Sequence, residues 1–230
     1  MNQKIVNFWL HHVHLPLTTL IATIGIVGIV SCLFILFIVA ELASEVIEKE
    51  AFVFDTSFLL WLHQFANPTL DNLMLFITNL GNPNIVAILA SVTFLILLWR
   101  RYLQEAPFFG ISCLGSLLLY SQLKLFFAKS RPTLWEQLIS VKTFSFPSGH
   151  ALCSLVLYGF IAYLLASHYP NLSKIIYPLA VILIAMIGIS RLYLGVHWPT
   201  DIIAGYGVGY LWLMICITML KLQKSRLNDL

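Results

Sequence analysis

Ser190-Arg191-Leu-Tyr-Leu-Gly-Val-His197-Trp-Pro-Thr-Asp201 lies directly between two strongly apolar runs, about 174–190 and about 200–220. Hydrocarbon makes an Arg, a His and an Asp expensive, so ionisable groups gathered at the ends of apolar spans are functional candidates. Two upstream clusters repeat the pattern, Lys124-x6-Arg131-Pro132 and Pro147-Ser148-Gly149-His150. Each again borders an apolar run. The arrangement describes a membrane-embedded helical protein whose chemistry sits at helix ends.

Composition agrees. Hydrophobic residues make up 60% of the chain and charged residues 10%, against about 45–50% and about 25% in soluble domains. The apolar residues come in blocks rather than with amphipathic periodicity, which is the transmembrane pattern. The net charge of +3 is small, and no basic tract with interleaved aromatics points to nucleic acid. Cys32, Cys113, Cys153 and Cys216 fall inside apolar blocks with no paired spacing, so they read as small packing residues rather than disulfide partners or zinc ligands.

Six spans are expected, at about 17–40, 84–99, 107–127, 150–167, 174–190 and 200–220, in one domain over 1–230. The first block is too long for the apolar part of a cleaved signal, roughly 7–15 residues, and reads as an anchor that stays. Pro83, Pro107, Pro147, Pro170 and Pro199 fall near boundaries, where a missing N–H matters least. The second and fifth spans are short for a crossing of roughly 20 residues, so their ends should extend into the neighbouring turns. Between spans one and two, Leu70, Leu73, Met74 and Ile77 follow helical spacing up to Gly81. That predicts an amphipathic helix lying at the membrane interface or packed on the bundle.

Basic residues set the expected orientation. One side would hold Lys4, Arg100, Arg101, Lys174, Lys221, Lys224 and Arg226, with Glu105 and Asp229 as its acids. The other would hold Glu41, Glu45, Glu48, Glu50, Asp55, Asp71 and all three polar clusters. The termini are then cytoplasmic and the clusters extracytoplasmic, in a multi-pass protein of the cell's inner or plasma membrane.

His197 and Asp201 are four residues apart, close enough to pair whether the last helix runs through both or begins at Pro199. A carboxylate on one imidazole nitrogen fixes the tautomer and leaves the other as base or nucleophile. A plainer reading has Asp201 complementing the helix dipole beside an interfacial histidine. Ser148 suits a helix N-cap, and the N–H groups around Gly149 can receive a phosphate oxygen, with His150 within reach of the same ligand. Lys124, Arg131 and Arg191 can pair with the spread charge of a phosphoryl group. Lys129 and Lys142 read as snorkelling or headgroup cations.

The ordered string Lys-x6-Arg-Pro, Pro-Ser-Gly-His, Ser-Arg-x5-His-x3-Asp resembles the type 2 phosphatidic acid phosphatase superfamily of integral membrane lipid phosphatases. It is complete here within 124–201, and the resemblance covers about 107–220. It implies that His197 attacks phosphorus and becomes a phosphohistidine, held by Asp201, while His150 protonates the leaving group. It further implies that Lys124, Arg131, Ser148, Gly149 and Arg191 bind the phosphoryl oxygens, and that no metal or other cofactor takes part. Phosphatidylglycerophosphate, phosphatidate and undecaprenyl diphosphate are the substrates it suggests.

Three rivals share some of these features. Vanadium-dependent haloperoxidases resemble the same motif set but are soluble, which six spans oppose. A lipid phosphotransferase would use the same site and another acceptor. A transporter would place its charges near the midplane on broken helices, not at one surface. Gly205-x3-Gly209 in the last span allows close helix packing, expected within a monomer rather than in a dimer.

Overall fold

The computed structural model describes the backbone over residues 15–48 and 53–228, with side chains over 24–48 and 53–227. Among these residues the secondary structure is helical: α1 (Leu15–Glu48), α2 (Val53–His63), α3 (Pro68–Leu80), α4 (Pro83–Trp99), α5 (Glu105–Phe127), α6 (Gly149–His168), α7 (Ser173–Tyr193) and α8 (Pro199–Asn228). A 3-10 turn, Pro170–Leu172, leads into α7. Lys4, Glu50 and Asp229, used above for orientation, lie outside the described residues.

Among the described residues, five helical segments are long and apolar enough to cross a membrane: Ile24–Glu48, α5, α6, Pro170–Tyr193 and Pro199–Leu227. The expected second span differs. Alone, α4 has 17 residues and rises only about 25 Å at ~1.5 Å per residue, short of a hydrocarbon core of ~30 Å. It qualifies together with α3, the two being bent by 44° at Gly81-Asn82. Six spans result when this broken pair is taken as one. The break is locally encoded, since Asn82 caps α4 by accepting from Asn84 N–H and Pro83 opens it.

α3 begins the same way, with Asn67 accepting from Leu70 N–H and Pro68 at its start. Its Met74, Ile77 and Thr78 are buried, packed with Ile187 and Tyr193 of α7. The helical spacing is as expected, but the buried face is turned: Leu73 is 45% exposed and Thr78 takes a place inside. Tyr193 Oη donates to Asp71 Oδ1 at 2.8 Å, fastening α3 to α7.

The bundle is built around α6, which packs on α5, α7 and α8. Phe109 of α5, Leu157 and Phe160 of α6, and Leu213 and Leu220 of α8 form its main core. The outer faces stay apolar, as a lipid-facing surface requires; Val27 and Leu114 are examples. Gly205 and Gly209 face α6 within the chain. A Cβ at Gly205 would stand 2.7 Å from the Ser148 carbonyl oxygen, and one at Gly209 3.0 Å from that of Leu152. This approach draws the second and third turns of α8 against the start of α6. At the opposite end Lys224 pairs with Glu105 at 2.6 Å, joining α8 to α5.

Candidate active site

Four helix ends and two loops meet at one end of the bundle. Lys124 stands in the last turn of α5 and Arg191 in the last turn of α7. Gly149 and His150 open α6, behind the Ser148 N-cap, whose side chain accepts from Ala151 N–H. Asp201 stands in the first turn of α8. Arg131 and His197 come from the loops before α6 and α8. Helix ends are where such a site is cheapest to build, since the orphan N–H groups of Gly149 and His150 are already available to an anion.

His197 and Asp201 are 1% and 0% exposed. His197 Nδ1 lies 3.2 Å from Asp201 Oδ2, and the same oxygen accepts from Trp198 N–H at 2.9 Å and from Ser145 Oγ. With the proton held on Nδ1, the Nε2 lone pair faces Arg131 Nη1 at 3.2 Å. Burial pushes the His197 pKa down to about 3; Asp201 opposes this, while Arg131 and Arg191 add to it. The imidazole is therefore neutral near pH 7, as a nucleophile requires. Helix α8 starts at Pro199, so the pair forms across the helix start rather than along a helix face.

The three cations are held by different means. Lys124 Nζ donates to the Phe144 carbonyl at 2.8 Å and to Thr143 Oγ1 at 3.2 Å. Arg131 donates to the carbonyls of Thr143, Phe144 and Val196, which fixes its guanidinium beside His197. Arg191 Nη1 donates to Thr78 Oγ1 at 2.8 Å. Its Nε is buried with no hydrogen-bond partner among the described residues. A buried donor left unpaired is unfavourable, and an anion's oxygen would satisfy it.

Lys124, Arg131, His150, Arg191 and His197 line one end of a cavity of about 1020 Å³. The other end is apolar and runs between α4 and α5, past Ala87, Ala90 and Ser91 on one side and Leu114 and Leu117 on the other. Leu114 is 66% exposed on the outside of the bundle, so the slot lies at a lipid-facing surface. One end suits a phosphate, the other a hydrocarbon chain. Among the described residues no three His, Cys, Asp or Glu side chains gather as a metal site would need.

The PAP2 superfamily model matches residues 105–225, more than half of the chain, from the start of α5 to Ser225 in the last turn of α8. The chain belongs to the PAP2 superfamily. It is 36% identical over 152 residues to phosphatidylglycerophosphatase B of Bacillus subtilis, spanning 63% of this chain and 72% of that one. It is 33% identical over 146 residues to an undecaprenyl-diphosphatase of Sulfolobus acidocaldarius, over 61% and 66% of the two chains. The crystal structure of a transmembrane PAP2-type phosphatidylglycerolphosphate phosphatase from Bacillus subtilis superposes with a TM-score of 0.72 at 28% identity, covering 83% of this chain and 94% of that one. Aquifex aeolicus LpxE shares the fold, with a TM-score of 0.59 at 21% identity over 76% and 98% of the chains. The protein is thus a multi-pass membrane phosphatase of the PAP2 superfamily.

All the PAP2 signature positions read from the sequence converge here. The cysteines are all free. One expectation is overturned: Lys129 is not a headgroup cation. Its Nζ donates to Asp201 Oδ1 and to Thr200 Oγ1, both at 3.0 Å, while Lys142 stays exposed. The buried Asp201 carboxylate draws it inward, because an unpaired charge there would be costly. Thr78, Ser145, Asp55 and Gly81 also support the site, through Arg191, Asp201, Thr200 and His150 respectively. Thr78 and Ser145 could have been suspected only from their neighbourhood, since a lone hydroxyl has no spacing signature. Gly81 leaves room for His150: a Cβ there would meet the ring's Cδ2 at 2.9 Å and Ile187 Cγ2 at 2.7 Å.

Proposed function

We propose that this chain hydrolyses phosphate mono- or diphosphate esters of membrane lipids through a phosphohistidine on His197, without a metal, at the extracytoplasmic surface. Phosphatidylglycerophosphate and undecaprenyl diphosphate lead the candidate substrates, because the two curated relatives carry those names; phosphatidate is a third. One observation carries the reading: a neutral, Asp201-held imidazole with Nε2 beside Arg131 lines a cavity that has three cations at one end and a hydrocarbon slot at the other.

His197 Nε2 attacks phosphorus, and the bond from phosphorus to the lipid oxygen breaks. His150 gives that oxygen a proton, and the lipid leaves as an alcohol or, from a diphosphate, as a monophosphate. His150 then takes a proton from water, whose hydroxyl displaces His197 from phosphorus and releases inorganic phosphate. Lys124, Arg131, Arg191 and the N–H groups of Gly149 and His150 receive the three equatorial oxygens, where charge develops. Ser148 holds that N-terminus in place. The slot lets the tail remain in the bilayer while the phosphate is processed.

Because fixed cations do the work of charge stabilisation, purified protein should release phosphate from the three lipids in excess EDTA. Vanadate should inhibit by adopting the five-coordinate geometry. Loss of activity on chelation, restored by magnesium, would overturn the metal-free mechanism. No release from any lipid phosphate would overturn the function.

The sidedness rests on Arg100, Arg101, Lys174, Lys221, Lys224 and Arg226, all at or beyond the span ends away from the site. Glu136 is exposed in the loop before α6, and Asn171 is exposed in the turn before α7. A cysteine at Glu136 should react with an impermeant thiol reagent in intact cells, and one at Asn171 should not. The native thiols are half-buried or buried, which keeps background low. The opposite labelling pattern would move the site to the cytoplasmic leaflet.

A further inference from the structure

Asp55, on α2, is 2% exposed, and Asp201 is fully buried. Two carboxylates this close in a dry setting are unfavourable unless a cation and hydrogen-bond donors compensate them. Lys129 supplies the cation, with Nζ 3.0 Å from Asp201 Oδ1 and 3.8 Å from Asp55 Oδ2. Thr200 lies in the same group: its Oγ1 accepts from Lys129 and donates to Asp55 Oδ2 at 2.6 Å.

The start of α8 explains why Asp55 is there. The residue preceding Pro199 is Trp198, which has no side-chain oxygen to cap the helix. Asp201 reaches back to Trp198 N–H, which is one half of a capping box. The other half comes from outside the helix, since Asp55 Oδ1 accepts from Thr200 N–H at 3.1 Å. Asp55 and Lys129 therefore hold the helix end and the outer oxygen of the carboxylate that orients His197. Neither lines the cavity.

We propose that Lys129 and Asp55, both outside the family signature, are positioning residues for phosphoryl transfer that act on His197 through Asp201. The inference rests on the reaction proposed above. Lys129 directs Asp201 Oδ1 away from His197, so Oδ2 alone meets Nδ1. Asp55 restrains Lys129 and the first turn of α8 together. Loss of either loosens the imidazole without removing a group that touches substrate.

The test uses full-length enzyme with Lys129→Met, Lys129→Arg and Asp55→Asn, each also combined with Asp201→Asn. Lys129→Met and Asp55→Asn should lower kcat by about 10- to 100-fold, the range found when outer partners that orient a working histidine are removed from metal sites. KM should move by less than about threefold, and Lys129→Arg should retain activity within about threefold, because it keeps a buried cation in reach of Asp201. On the Asp201→Asn background the added loss should shrink to less than about threefold, since residues acting through one group are not additive. Lys129→Gln carries the same test if Lys129→Met fails to fold. An undiminished loss on that background, a change confined to KM, or an unchanged kcat would each overturn the proposal. A wild-type chain that releases no phosphate would instead overturn the reaction itself.

Discussion

His197→Ala is expected to abolish turnover, with a fall in kcat of about ten-thousand-fold or more, as when a covalent nucleophile is removed. The imidazole lines the cavity with its Nε2 beside Arg131, while its other nitrogen is tied to Asp201. Its depressed pKa of about 3 keeps Nε2 unprotonated at neutral pH. The cations and N–H groups would remain, so substrate should still bind and product inhibition by phosphate should persist. The sharpest readout is the intermediate. Wild-type enzyme quenched during turnover of a ³²P-labelled lipid phosphate should carry an acid-labile, base-stable label, and the variant none. A variant that still forms the label, or still turns over within about tenfold of wild type, would remove His197 from the nucleophile's role.

His150→Ala should act differently on different substrates. General acid catalysis is worth about 100- to 10,000-fold when the leaving oxygen is a poor one, and little when it leaves readily as an anion. The loss on a lipid monophosphate should therefore fall in that range, while an activated aryl phosphate should be spared to within about tenfold. His150 lines the cavity from the first turn of α6, and its ring rests on Gly81, so its approach angle is set by the α3–α4 break. Equal losses on both substrates would show that His150 binds phosphate or shapes the cavity rather than donating a proton.

Much of the fold was open to reading because hydrocarbon imposes simple rules. Spans need length and apolarity, and their ends need caps, so Ser148, Asn82, Pro83 and Pro199 mark boundaries that local physics alone sets. The short second span was recognisable as short, but its partner was not. Whether α3 lies along the interface or continues α4 depends on what Met74, Ile77 and Thr78 find to pack against, which is α7. The rotated face of α3, with Leu73 outside, has the same origin.

The sequence by itself determined the helix ends that border the site, the family and the signature side chains, because each depends on residue types at fixed short spacing. By contrast, α1 and α8 run on to Glu48 and Asn228, beyond the apolar blocks. Tertiary structure decided which other groups serve that site. Lys129 could have faced headgroups, and Asp55 stands 146 residues before Asp201 in the numbering. Their meeting depends on α2 docking beside α8 and on the loop before α6 folding inward. Tertiary structure also opened the slot between α4 and α5, whose lining of small and apolar residues would look the same in any lipid-facing pair of helices. The physical reason is common to both. Local spacing fixes what a short segment can do alone, whereas a buried charge takes whichever partner the packing brings within reach.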